Sequence, residues 1–255
     1  MKYKVNIFLM FIAVFMAGCI HHVKQDDNTI FMGVRADVPL VAYYNLKGER
    51  AGSEIDLANN IADALGKRVE FVTVTSANRK DMLLSGKVDM VIATFSITDD
   101  RKKHFLFSTS YKTEHQGIMV HHRSQVTQIS DLANKRIGVI RGSDSLERVS
   151  QRIPSATIVP FDNYYRAMIA LNMEDIDAIS TDKSILQGLR VLWKSPKRLK
   201  KINGTLTFLV DVKTKANGID FRILDSDLST EKYGIAMRHE DGSLIKKVDF
   251  FLTHH

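Results

Sequence analysis

The sequence predicts an α/β protein of two lobes, each a mainly parallel sheet flanked by helices. Two patterns and the chain's size carry that prediction. Apolar, β-rich runs alternate with amphipathic helical stretches in the order β-α-β-α-β, and the pattern restarts after residue 130. Residues 88–94 are apolar almost without a break, as a strand covered on both faces would be. The 255 residues exceed the commonest single-domain size and suit two lobes.

The first residues read as a leader outside the fold. Lys2 and Lys4 precede an apolar run at 7–17 that is too short to span a bilayer. It ends in Met16-Ala17-Gly18-Cys19, and small residues before a cysteine resemble the lipobox of bacterial lipoproteins, although Met16 stands where Leu, Val or Ile is usual. That resemblance implies removal of residues 1–18, lipid attachment at Cys19, and a periplasmic or cell-surface lipoprotein anchored to the membrane. Two or three acyl chains anchor stably where one is marginal. Cys19 is the only cysteine, so no internal disulfide can form. Residues 19–28 are polar and read as a tether.

A strand follows at 29–34, then a loop punctuated by Pro39 and Gly48. Ser53 and Asp56 have the spacing of a capping box. Leu57, Ala58, Ile61, Ala62 and Leu65 then share one helical face, which stops at Gly66. Residues 68–74 read as a strand, 78–84 as a short helix ended by Gly86, and 88–94 as a strand. In the second unit, 130–134 is a small turn, 136–140 a strand, 145–152 a helix, 157–159 a strand, 163–171 a helix, 176–180 a strand and 183–192 a helix.

The formal charge is +7, with much of the excess between Arg190 and Arg222. That stretch reads as a basic insertion near 194–222, a solvated surface loop or a contact with anionic lipid. Nucleic acid is not an expected partner, because the leader directs the chain out of the cytoplasm. No HExxH, CxxC, calcium loop, nucleophile elbow or P-loop occurs, and the adjacent histidine pairs are poor chelators because neighbours in an extended segment point apart. No metal or cofactor is expected.

In open α/β sheets, ligands sit beyond the carboxyl ends of the strands. Three loops lie there: 94–101, 141–145 and 181–182. The first delivers Arg101 and the last Asp182. A guanidinium and a carboxylate at two facing strand ends can clamp the two charges of a free amino acid, and hydroxyl- and glycine-containing loops can add backbone donors.

The motifs Ala51-Gly-Ser-Glu-Ile-Asp-Leu-Ala58, Val72-Thr-Val-Thr-Ser-Ala-Asn-Arg79, Ser85-Gly-Lys-Val-Asp89, Ser96-Ile-Thr-Asp-Asp-Arg-Lys102, Arg136-Ile-Gly-Val-Ile-Arg-Gly-Ser143, Ile176-Asp-Ala-Ile179 and Tyr233-Gly-Ile-Ala236 together resemble bacterial extracellular solute-binding protein family 3, the amino-acid receptors of ABC importers. The resemblance covers most of 29–192 and 228–250 and implies a type II periplasmic-binding-protein-like fold. It places 29–112 and 235–255 in the first lobe and 113–234 in the second, with crossings near 111–115 and 232–235. Arg101 matches the arginine that grips the ligand α-carboxylate, Asp182 the acid that accepts from its ammonium, and Ser96 and Thr94 positions offering a hydroxyl or backbone groups. Ser143 belongs to the matching second-lobe loop, and Asp37 matches an acid near the ligand side chain.

Departures accompany the matches. Val41, Ser53 and Ser76 stand where aromatic residues often pack the ligand, leaving Tyr43 or Tyr44 to compensate and suggesting a polar ligand. Asp144 replaces a common Thr or Gly; its carboxylate would repel a bound carboxylate unless it turns away or meets a cation. The chain also ends at Leu252-Thr-His-His255 without the family's Tyr/Lys/Trp-rich close, so the first lobe is expected to lack some packing surface. The resemblance implies a monomeric receptor whose partners are an amino acid, an ABC permease and, through Cys19, membrane lipid. The alternatives are a cyclohexadienyl-dehydratase-like enzyme, with Asp144 as general acid, or a degenerate sensory or interaction protein.

Overall fold

The structure is a computed structural model that describes residues 28–193, 197–202, 205–210 and 221–254. The expected leader, Cys19 and nearly all of the tether lie outside the described residues, as does much of the basic stretch.

The first lobe opens with β1 (Thr29–Val34), whose Met32 and Val34 are buried. The stretch expected to be one loop forms three short strands, β2 (Asp37–Val38), β3 (Ala42–Asn45) and β4 (Arg50–Ala51). The turn between β3 and β4 is built by Asn45, whose Oδ1 accepts from the N–H groups of Lys47 and Glu49 at 2.9 and 3.0 Å. Helix α1 (Ser53–Ala64) buries Ile55, Ala58, Ile61 and Ala62. The expected capping box is absent, and the N-cap is Gly52 with no side-chain cap. No cap is needed, because the first N–H groups, those of Ser53 and Glu54, donate to the carbonyls of Leu40 and Val41 at 3.1 and 2.9 Å. Then come β5 (Arg68–Thr73), α2 (Arg79–Leu84), β6 (Met90–Ile92), α3 (Asp99–Lys102) and β7 (Leu106–Phe107).

The chain passes into the second lobe along β8 (Lys112–His121) and continues through β9 (Arg136–Ile140), α4 (Ser145–Arg152), β10 (Thr157–Phe161), α5 (Tyr164–Asn172), β11 (Ala178–Asp182) and α6 (Lys183–Leu192). Where a basic surface loop was one expectation, β12 (Lys197–Ile202) and β13 (Thr205–Val210) form an antiparallel hairpin. Strands β14 (Phe221–Ile223) and β15 (Ser229–Tyr233) both run antiparallel to β8. The chain then returns through β16 (Ala236–Met237) to α7 (Gly242–His254).

The first sheet has the order β5-β1-β6-β16-β7, parallel in its first three strands. The second has the order β10-β9-β11-β8-β14, also parallel in its first three. Each is covered on both faces by an apolar cluster. One face of the first sheet carries Met32, Ile61, Ile92 and Val248, the other Val74, Leu83, Val91 and Phe95. In the second lobe Met119, Ile140, Leu171 and Leu186 oppose Val120, Val139, Val149 and Leu224. Helix α7 supplies packing that the chain's ending was expected to lack, burying Ile245 and Val248 and leaving Phe250 exposed.

The lobes are also joined through a third sheet. There β13, from the second lobe, pairs in parallel with β3 of the first, setting Leu209 beside Tyr44 and Val210 beside Asn45.

Candidate ligand-binding cleft

The two lobes touch. Val38 and Val41 of the first lobe are buried in the second lobe's apolar cluster with Met168 and Leu186. Two glycines permit the approach. A Cβ at Gly142, whose φ is 79°, would lie 2.5 Å from the Ser76 carbonyl oxygen, and one at Gly188 would lie 3.2 Å from that of Pro39. The cleft between the strand ends is therefore shut.

On the first-lobe wall, Arg101 sits in α3, whose N-terminus is capped by Thr98. Its side chain is buried, donates from Nη1 to the Ser96 carbonyl at 2.8 Å and lies 4.8 Å from the centre of the Phe95 ring. Arg79 lies 4.1 Å from the same ring and donates to the Ala93 and Thr94 carbonyls at 2.5 and 3.1 Å. Burial, with Arg101 and Arg35 nearby, lowers the Arg79 guanidinium to about 9. Thr94 has a φ of 47°, a costly value for a β-branched residue. Its N–H is held by buried Glu54 at 2.7 Å, and the same carboxylate oxygen accepts from the Tyr111 hydroxyl at 2.6 Å. Burial raises the Glu54 carboxyl above its ordinary range.

On the second-lobe wall, Asp182 occupies the N-cap of α6 but makes no capping bond. Its carboxylate accepts from the Tyr233 hydroxyl. Burial first, then the charge of Glu231, pushes the Asp182 carboxyl well above the usual range. Asp144, at the N-cap of α4, likewise leaves the helix uncapped, and its Oδ2 stands 3.9 Å from Arg101 Nη1. Ser96 donates from Oγ to Glu231 at 2.7 Å, and the charge of Asp144 acts on Glu231 from close by. Burial and then Asp144 raise the Glu231 carboxyl to about 7.

Arg101, Ser96, Thr94, Asp144 and Asp182 thus gather at the junction, linked through Glu231 and Arg79. Ser143 and Asp37 are engaged elsewhere. The N–H and Oγ of Ser143 both close on the Ile140 carbonyl, at 3.0 and 2.7 Å. Both carboxylate oxygens of Asp37 accept from Arg35 at 2.8 Å, and Arg35 also donates to Ser76. Tyr44 lies under Arg50, 4.8 Å from its guanidinium carbon, so the aromatic surface beside the buried arginines comes instead from Phe95 and from Tyr164, 5.6 Å from Arg35. The sequence reading missed Glu231, Arg79 and Glu54. A signal existed for Glu231, which precedes Tyr233 by two in a strand and so shares its face.

Among the described residues no group of acids, histidines or cysteines could hold a metal ion, and no helix is long and apolar enough to cross a membrane.

Two α/β lobes that meet along a buried, charged junction define the class of two-lobed binding-protein folds. The family profile of bacterial extracellular solute-binding proteins, family 3, matches residues 30–255, and the chain belongs to that family. It is 30% identical over 232 residues to the ABC transporter glutamine-binding protein GlnH of Bacillus subtilis, covering 89% of this chain and 76% of that protein. Holo ArgBP from T. maritima superposes with a TM-score of 0.75 at 28% identity, over 89% of each chain. The ancestral amino acid-binding protein AncCDT-1, a precursor of cyclohexadienyl dehydratase, superposes at 0.73 with 26% identity, over 89% of this chain and 88% of that one. GlnH and the glutamine-binding protein of Geobacillus stearothermophilus are named as binding proteins rather than enzymes, and AncCDT-1 is itself named an amino acid-binding protein, so the dehydratase alternative is set aside.

Proposed function

We propose that the protein captures a polar amino acid and delivers it to an ABC permease. Its first lobe (29–112 and 235–255) and second lobe (113–234) close on the ligand, and it acts as a monomer in the periplasm or at the cell surface, held to the membrane by lipid on Cys19. The carrying observation is that Arg101 and Asp182, from opposite lobes, are both buried where the lobes meet. A fork of guanidinium donors suits a carboxylate bidentately, and a buried carboxylate whose protonation is favoured by burial gains most from an arriving ammonium. Ser96 and Thr94 support the carboxylate end, with Asp37 and Ser143 at the margin of the pocket. The polar preference rests on the glutamine named for the Bacillus relative and on Ser53, since Asp37 and Ser76 are held by Arg35.

A thermal-shift screen of the twenty standard amino acids tests this, since a ligand selective for the folded, closed state raises apparent stability. A polar amino acid should raise the melting temperature, and Arg101→Ala should weaken its binding by about 3–5 kcal/mol, because the ligand's buried carboxylate loses its partner. A screen in which none raises it would overturn the proposal.

A further inference from the structure

We propose that Asp144 is a built-in competitor for Arg101, that a proton held between Asp144 and Glu231 relieves the competition, and that capture of a ligand carboxylate at Arg101 is therefore coupled to proton uptake. This rests on the proposed function and adds to it a residue that sets when the carboxylate subsite is available.

The geometry carries the argument. An aspartate at a helix N-cap ordinarily turns its carboxylate onto the first free N–H groups. Asp144 does not, and its Oδ2 is buried with no hydrogen-bond partner among the described residues, 3.9 Å from Arg101 Nη1. That separation is too long for a hydrogen bond and close enough for strong attraction between two largely buried side chains. The carboxylate therefore stands against the guanidinium face that a ligand carboxylate would need. Glu231 reaches the same point from β15, fixed by Ser96 at 2.7 Å, with Arg148 Nε 3.7 Å from its other oxygen.

Asp144 and Glu231 thus meet the same Arg101–Ser96 corner, and two buried carboxyl groups so close do not both ionise readily, so the pair retains a proton in preference to water. The other charges facing it divide by sign. Arg101, Arg79 and Arg148 favour ionisation, whereas Asp182 and Glu114 oppose it, the latter tied to Lys112. A third carboxylate, the ligand's, adds repulsion that only a proton on the pair removes. Binding and protonation then favour each other by linkage.

L-Glutamine, whose side-chain amide does not titrate, serves as first probe, with L-arginine and then the remaining standard amino acids as further probes. With Glu231 near 7, isothermal titration calorimetry should show binding roughly tenfold tighter at pH 6 than at pH 8. At pH 8 the observed enthalpy should depend on the buffer's ionisation enthalpy, with uptake of close to one proton. Glu231→Gln and Asp144→Asn should each flatten the pH dependence and bring the pH 8 affinity up to the acid value. Equal affinity at both pH values with buffer-independent enthalpy overturns the inference while leaving amino-acid capture intact, as does a pH dependence that survives both substitutions. Absence of binding by the natural sequence and both variants, to every amino acid at either pH, instead removes the capture reading and this inference with it.

Discussion

Closure of the cleft depends on one loop passing within touching distance of another, which makes Gly142→Ala the sharpest test of the structure. At position 142 φ is 79°, and an added Cβ would lie 2.5 Å from Ser76 O and 2.6 Å from Ala77 Cα. Both obstacles are backbone, so no side-chain rotation relieves them. Two costs follow. A left-handed backbone costs an L-residue about 1–2 kcal/mol, and this cost is paid in the open and closed forms alike. Overpacking adds roughly 1–3 kcal/mol and falls on the closed form alone, because Ser76 and Ala77 belong to the opposite lobe. A ligand that binds tightly only to the closed form then loses about 5–150-fold in affinity. Gly66→Ala separates the two costs, since φ there is 65° and nothing lies within 4 Å of the added atom. It should lower the melting temperature and leave affinity unchanged. Calorimetry against the amino acid identified by thermal shift gives the affinity, and small-angle scattering with and without that ligand gives the degree of closure. If Gly142→Ala binds and contracts like the natural sequence, the approach of residue 142 to Ser76 is no part of closure and the reasoning fails.

Three further outcomes are expected. Burial raises the Asp182 carboxyl in the native state, which therefore binds more protons than the unfolded chain; stability of the free protein falls as pH rises from the ordinary carboxylate range, about 4, through the raised native value. Asp182→Asn should lessen that fall, raise the free protein's melting temperature at pH 8 by a few degrees, and abolish the stabilisation given by an amino acid; an unaltered pH profile of melting would refute it. Glu54→Ala strands the N–H of Thr94 and the hydroxyl of Tyr111, and should cost about 1–3 kcal/mol in urea denaturation, with Glu54→Gln costing less because one acceptor remains. Replacing residues 197–210 by a short flexible loop removes the pairing of β13 with β3, and should weaken ligand binding several-fold by calorimetry while the lobes stay folded by circular dichroism.

The fold was legible in the sequence wherever an element was long enough to show its period. Helix α6, whose apolar positions recur at helical spacing, and strand β9, a continuous buried run after Arg136, fall at the expected residues. Strands β2 and β4 have two residues each, too few to display any period, and they exist only because neighbouring backbone offers hydrogen bonds. The β12–β13 hairpin was hidden by its charge, since a run of lysines reads first as solvated surface. The site divides in the same way. Arg101 was legible because it follows a strand end, and Asp182 because it closes a strand. Arg79 has the local sequence of an exposed helix start, yet it is 1% exposed because Phe95 and two carbonyls from another segment surround it. No local pattern encodes that enclosure.

A receptor of this kind must not close too readily when empty, because a ligand shifts the equilibrium only by its differential affinity for the two forms. Opposing contributions are set side by side at the junction. Val38 and Val41 favour closure by leaving water for the cluster around Met168 and Leu186, and the pairing of β13 with β3 adds backbone hydrogen bonds across the lobes. Against this, closure buries Asp182 with a tyrosine hydroxyl as its hydrogen-bond partner, leaves Asp144 Oδ2 and Arg79 Nε without one among the described residues, and withdraws the neighbouring acids Glu231 and Asp144 from water. Apolar contact can bring the lobes together with or without ligand, but it cannot satisfy those polar atoms. A guest bearing both an ammonium and a carboxylate relieves the charge strain, provided the acid pair yields Arg101 to it. On this reasoning the buried polar groups oppose empty closure, and selectivity for a zwitterion follows from the same groups.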